Sequence, residues 1–191
     1  MKLILASQSP RRKELLGLLG LPFDIRVPNA DETMDPHGDP AEQVALVSRR
    51  KAEATPRQPE QVVIAADTIV VCDGQILGKP KNRADAILML HQLSGRTHQV
   101  MTGLTVLHGM QSFTCTEVTE VTFRPLTDQE IAGYVDSGEP MDKAGAYGIQ
   151  GGAALFAQRM VGDYYNVMGL PVCRLYEILT QLAPDYMEEN Q

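Results

Sequence analysis

Tryptophan is absent from this 191-residue chain, and aromatic residues of every kind make up only 5% of it. A protein that binds single-stranded nucleic acid by stacking bases on aromatic rings needs more than that. An excess of positive charge is missing too: 17 Lys and Arg against 24 Asp and Glu leave a formal charge of −7. Coating DNA or an anionic lipid surface calls for the opposite sign, so nucleic acid polymers and membranes fall away as expected partners. A small polyanion stays within reach if the few cations gather in one place. Cysteine is scarce, and Cys72, Cys115 and Cys173 are odd in number, widely spaced and without a CxxC pair. Neither a disulfide framework nor a thiolate zinc site is indicated, and a reducing cytoplasm is the simple expectation. His37, His91, His98 and His108 show no HxxxH spacing, which leaves oxygen ligands and a hard cation such as Mg2+ as the metal chemistry to expect. No apolar run reaches the ~18 residues of a membrane span. The apolar opening Leu3-Ile4-Leu5-Ala6 runs straight into Ser7-Gln8-Ser9-Pro10-Arg11-Arg12, too short for the apolar stretch of a signal peptide.

What is present is ordinary globular material: 43% hydrophobic and 21% charged residues, enough for one domain or two tightly joined lobes around a real core. Leu3 to Ala6 reads as a short buried strand. Ser9 is placed to cap a helix over Arg11 to Leu19, with Pro10 at its first position. Phe23 to Val27 reads as a second strand and Pro28 to Pro40 as a polar loop. Asp39-Pro40-Ala41-Glu42 starts a helix through about Ala54. Val62 to Ala66 is a buried strand ending at Asp67-Thr68, and Asp73-Gly74 turns a hairpin between Ile69–Cys72 and Gln75–Leu77. A helix capped by Asn82 runs to Leu93. Two long strands follow, Thr97 to Leu107 and Ser112 to Phe123. Thr127 and Glu130 form a capping box for a helix to Val135, and Glu139 to Gly152 is a glycine-rich loop. Ala154 to Val161 closes the strands, and a helix from Pro171 to about Leu182 precedes an acidic tail, about 184–191, expected to fray. Strands and helices mixed throughout argue an α/β fold with a sheet partly parallel and partly antiparallel.

Four features carry chemistry. Ser7-Gln8-Ser9-Pro10-Arg11-Arg12 joins a strand to a helix start, where unpaired N–H groups meet two guanidinium forks. It reads as an anion site or as an ordinary cap with solvated arginines; it is not a Walker A loop, since GxxxxGK[ST] occurs nowhere in the chain. Asp67, at the end of an apolar strand, suits a metal ligand, a general base or a plain turn residue. Glu32 is a second carboxylate in a loop. Lys51, Lys79 and Lys143 each stand near a helix end or loop, and each alone also fits a surface lysine. Gln150 sits in the glycine-dense run Asp142 to Gly152, where the backbone permits close approach of a ligand and the carboxamide offers both a donor and an acceptor. The loop fits equally well with no ligand.

Together these segments resemble the Maf family of nucleoside triphosphate pyrophosphatases, over nearly the whole chain from Leu3 to about Leu182. The resemblance rests on Ala6 to Arg12, Lys51-Ala52, Ala66-Asp67-Thr68, Gly78-Lys79-Pro80, Ser94-Gly95 with Thr102-Gly103, Gly138-Glu139-Pro140 through Gly151, and Tyr165-Asn166-Val167-Met168-Gly169-Leu170-Pro171. It implies a single domain over 1–191 like the inosine triphosphate pyrophosphatases: an elongated mixed sheet flanked by helices, with two lobes and a central cleft. It implies hydrolysis of a nucleoside triphosphate to monophosphate and pyrophosphate, a divalent cation (Mg2+ or Mn2+), and a homodimer. By resemblance, Asp67 is the proton acceptor and, with Glu32, a metal residue. Arg12, Lys51 and Lys79 are catalytic cations around the triphosphate, and Ser7 and Ser9 help hold the phosphate. Arg11, Thr68 and Gln150 occupy the positions that choose the base, and this combination resembles the dTTP/UTP subfamily, with modified pyrimidine nucleotides as further substrates in a house-cleaning role. The sister subfamily acting on 7-methyl-GTP tends to carry Trp, Gln and Glu there. Three other readings remain open at this point: a 7-methyl-GTP pyrophosphatase, a nucleotide-binding regulator of septum formation and cell division, and a γ-phosphatase or nucleotidyltransferase using the same phosphate site.

Overall fold

The computed structural model describes residues 2–182 and 184–189. Its strands join in one mixed seven-stranded sheet of order β2-β1-β3-β5-β6-β7, with β4 paired to β3. The strands are β1 (Lys2–Leu5), β2 (Phe23–Ile25), β3 (Gln61–Cys72), β4 (Gln75–Leu77), β5 (Thr97–His108), β6 (Gln111–Phe123) and β7 (Ala157–Val161). The helices are α1 (Pro10–Gly17), α2 (Pro40–Glu53), α3 (Arg83–Leu93), α4 (Asp128–Asp136), α5 (Tyr164–Met168), α6 (Val172–Leu182) and α7 (Pro184–Glu189). The expected mixed α/β architecture is therefore present. The chain divides into two compact units, each built from separated segments: 1–67, 102–117 and 169–191 in one, 68–101 and 118–168 in the other.

In the first unit β1 runs parallel to β2 and to β3, with Leu3 opposite Phe23 and Leu5 opposite Ile64. Parallel strands covered on both faces read as unbroken apolar runs, and Leu3 to Ala6 and Val62 to Ala66 are all buried. Ile4, Ala6, Ala52, Val63, Ala65 and Leu107 form one core cluster. Three of its six members are alanines. At Gly103 the chain passes so close to α2 that an added β-carbon would fall 2.6 Å from the Val44 carbonyl carbon. Helix α6 contributes Leu175, Ile178 and Leu179 to the same interior.

In the second unit β4 pairs antiparallel with the end of β3, Val70 opposite Leu77. The turn uses positive φ at both Asp73 and Gly74, the hairpin geometry that Asp-Gly favours. Helices α3 and α4 bury Ala86, Leu90, Leu93 and Ile131, Tyr134, Val135. Phe123 is the centre of an edge-to-face cluster with His98, Tyr147 and Phe156 at centroid distances of 4.9, 4.8 and 6.0 Å.

Several sequence expectations need correction. The strands expected at 62–66 and 69–72 are one strand, so Asp67 stands inside β3 and not at its end. An Asp is tolerated there because a lysine meets it, as described below. The glycine-rich loop contains three 3-10 turns at Glu139–Asp142, Ala144–Ala146 and Gly152–Leu155. Its last turn displaces the start of β7 from 154 to 157. Helix α5, five residues long, carries no periodicity that a sequence could reveal. The segment expected to fray forms α7 over 184–189, with Met187 buried; positions 190–191 of that tail lie outside the described residues.

Candidate active site

The first unit gathers most of the sequence-derived candidates. Ser9 caps α1 by accepting from the Arg12 backbone N–H at 3.4 Å, and Pro10 occupies the first turn. The first turn of α1 holds no acidic residue. Arg11 and Arg12 thus add charge where the helix end is already positive, an arrangement that an anion stabilises. Ser7 is buried, and its Oγ accepts from the Ser9 N–H at 3.1 Å and from Arg12 Nη1 at 3.4 Å. Arg12 Nε donates to the Gly169 carbonyl at 2.7 Å, across 157 residues of sequence. The guanidinium is therefore aimed by its neighbours. Burial pulls its pKa below the ordinary arginine value, the Asp67 and Glu32 carboxylates raise it and the Arg11 charge lowers it further; an arginine stays charged throughout such shifts.

Asp67 meets Lys51, which projects from the last turn of α2. Lys51 Nζ lies 2.6 Å from Asp67 Oδ1 and 3.0 Å from Glu32 Oε2. The lysine and aspartate side chains are only 10% and 14% exposed, whereas Glu32 is 62% exposed. One ammonium thus holds two carboxylates, one largely withdrawn from water and one at the surface. Charge-assisted bonds of this length are among the stronger ones a protein makes. Glu32 sits in an irregular segment whose own anchor is Arg50. Arg50 Nη1 donates to the Thr33 carbonyl at 2.8 Å and faces Asp31 at 3.8 Å. Asp31 in turn accepts from the Thr33 N–H at 2.9 Å, and the bonds from Thr33 hold its carboxyl below the usual range. Sequence reasoning missed Arg50 as the residue that places Glu32; its one signal was adjacency to Lys51.

The remaining candidates belong to the second unit. Thr68 follows Asp67 in β3 and is half-buried. Lys79 and Gln150 are exposed. The segment carrying Lys79 is tied to the glycine-rich loop by Gly145 N–H donating to the Gly78 carbonyl at 3.0 Å. Lys143 Nζ donates to the Glu139 carbonyl at 2.6 Å and to Asp142 at 2.7 Å, so it serves the loop itself.

A scan against family profiles matches the Maf-like protein family over residues 2–182. This chain belongs to the Maf family. Among curated relatives, the dTTP/UTP pyrophosphatase of Symbiobacterium thermophilum is 52% identical over 183 residues, covering 95% of this chain and 94% of its own length. The dTTP/UTP pyrophosphatase of Bacillus pumilus is 51% identical over 179 residues, covering 93% of this chain and 95% of the relative. Among solved structures, a HAM1 protein from Coxiella burnetii aligns over 95% of this chain and 99% of its own, at 14% identity and a TM-score of 0.49.

Proposed function

We propose that this Maf protein hydrolyses dTTP and UTP between the α- and β-phosphates, releasing the nucleoside monophosphate and pyrophosphate. The observation that carries the reading is the 2.6 Å pair between Lys51 of α2 and Asp67 inside the apolar strand β3, in one unit with a helix start that collects arginines instead of acids. The choice of pyrimidine nucleotides rests on relatives about half identical to this chain that carry the name dTTP/UTP pyrophosphatase and on Arg11, Thr68 and Gln150.

In this reading Ser7, Ser9, Arg12, Lys51 and Lys79 hold the triphosphate and take up charge as the bond to the leaving pyrophosphate breaks. Removing one such preorganised donor typically costs about 10²–10³ in rate. Asp67 accepts a proton from the water whose oxygen bonds to the α-phosphorus. Gln150 donates an amide N–H to a pyrimidine carbonyl, which a carboxylate could not do. The family resemblance also implies Mg2+ or Mn2+. The donor chemistry fits: Glu32 and Asp67 supply carboxylate oxygens that both lie within 3.0 Å of one ammonium. Among the described residues no three His, Cys, Asp or Glu converge into a cluster able to hold a metal ion. Mg2+ is commonly held by one or two carboxylates plus substrate phosphates, so Glu32 and Asp67 are the residues we assign to it. When bound, the cation supplies positive charge against the phosphate oxygens. A homodimer in the cytoplasm completes the proposal; among the described residues no helix is long and apolar enough to cross a membrane.

The test is product identity with and without Asp67. Monophosphate and pyrophosphate are the expected products, with hydrolysis falling at least about 100-fold in Asp67→Asn while nucleotide binding persists. Diphosphate with inorganic phosphate, or full activity in Asp67→Asn, would overturn the reading.

A further inference from the structure

Gln150 is exposed, yet the backbone on both sides of it is held. The Gly148 N–H donates to the Tyr134 hydroxyl at 3.0 Å, and the Gly152 N–H donates to Glu139 Oε2 at 3.0 Å. The two holders are bonded to each other, since the Tyr134 hydroxyl donates to Glu139 Oε1 at 2.9 Å. The Gly151 N–H closes the turn onto the Gly148 carbonyl at 3.1 Å, and Ile149 is buried beneath it. Tyr134 is itself fixed: it comes from α4, is buried, and packs edge-on against Phe156 at 5.2 Å. Burial and the Glu139 carboxylate raise the pKa of its hydroxyl, while the Gly148 N–H lowers it; the net shift is upward, so it remains a donor. The Glu139 carboxylate fills the space of an absent side chain at Gly151, where a β-carbon would lie 2.6 Å from its Oε2, while at Gly148 a β-carbon would meet the Lys143 stem first, 2.7 Å from its Cε. Three backbone or side-chain donors converge on two acceptor groups, and the product of that convergence is a five-residue arch with Gln150 at its open side.

We infer that Tyr134 and Glu139 are positioning residues for base selection, acting through the arch 148–152 on Gln150. This rests on the proposed role of Gln150 and deepens it: the fidelity of base choice depends on a tyrosine–carboxylate bridge that itself touches no substrate. Loss of a single bridge bond loosens the arch at one foot, and the base reader then samples several positions.

Two kinds of measurement test this. Amide hydrogen exchange in the free protein should speed up at 148–152 in Tyr134→Phe and Glu139→Gln, with the rest of the chain protected as before. In steady-state kinetics both variants should raise KM for dTTP and UTP about five- to tenfold, the worth of about one hydrogen bond, with kcat changed less than about threefold, and should lower the dTTP/GTP preference. Gln150→Ala should lower that preference as well, and adding Tyr134→Phe to Gln150→Ala should lower it no further. Unchanged exchange at 148–152 overturns the bridge. A full additive loss in the double variant, or an unaltered base preference in Tyr134→Phe when Gln150→Ala alters it, overturns the positioning role alone. An unaltered preference in Gln150→Ala overturns the reading of Gln150, and with it the base-selection role, while the exchange result still reports whether the bridge holds the arch.

Discussion

Replacing Lys51 by methionine removes an ammonium and keeps an unbranched chain that can fill the same space. In the structure that ammonium contacts Asp67 at 2.6 Å and Glu32 at 3.0 Å. The two contacts differ in worth. Glu32 is 62% exposed, so its share is screened and amounts to about 1 kcal/mol at most. Asp67 is 14% exposed, and stripping the partner from a buried pair costs about 3–5 kcal/mol. The Arg12 charge acts on the same carboxylate and offsets part of that loss. We expect a net destabilisation of about 2–3 kcal/mol, which for a chain of this size lowers Tm by about 4–12 °C. Thermal and urea unfolding of Lys51→Met, Asp67→Asn and the double variant provide the assay. A neutral Asn does not need the ammonium, so the second substitution should recover about 1–2 kcal/mol of what the first one lost. A Lys51→Met protein as stable as the parent, or losses that add within about 0.5 kcal/mol, would refute the account of the pair.

The remaining predictions probe other parts of the molecule. His98 is packed against Phe123 and Tyr147, and burial pushes its pKa down to about 4 from 6.5. As pH falls from 6.5 towards 4 the unfolded chain binds a proton that the folded chain refuses, so this group removes up to about 3 kcal/mol of stability across that window. Urea unfolding at several pH values should show a shallower acid loss in His98→Gln than in the parent, and equal slopes would contradict it. Gly103→Ala should cost about 1–3 kcal/mol or more, because the new methyl group meets α2 backbone at Val44 and not a flexible side chain; an unchanged urea midpoint would show that α2 can retreat. Gln150→Glu should weaken dTTP and UTP turnover by about 1–3 kcal/mol through a mispaired polar group, read as a fall in the dTTP/GTP ratio of kcat/KM.

Local chemistry was legible in the sequence and distant pairing was not. Ser9, Asp39, Asn82 and Thr127 all cap the helices that their spacing predicts, since each cap joins residues only three positions apart. The Asp73-Gly74 turn is equally local. Asp67 was found but misplaced: a carboxylate followed by threonine reads as the end of an apolar run, and only the presence of Lys51, sixteen residues back, explains how β3 continues through it. Glu32 sits in a segment without periodicity, so the residues alone offered it only as one loop carboxylate, and family resemblance gave it a role. The Arg12 bond to Gly169 spans the chain, and the Tyr134–Glu139 bridge joins a helix to a 3-10 turn. Neither leaves a mark in spacing or composition. What resemblance supplied was the set of residues; what the structure adds is which of them are held, by what, and at what distance.

The most direct measurement is to incubate the purified protein with Mg2+ and, in turn, dTTP, UTP, GTP and 7-methyl-GTP, and to identify the products. The account predicts monophosphate and pyrophosphate from dTTP and UTP, with little from the two purine nucleotides. Turnover favouring 7-methyl-GTP, or binding of all four with turnover of none, would contradict it.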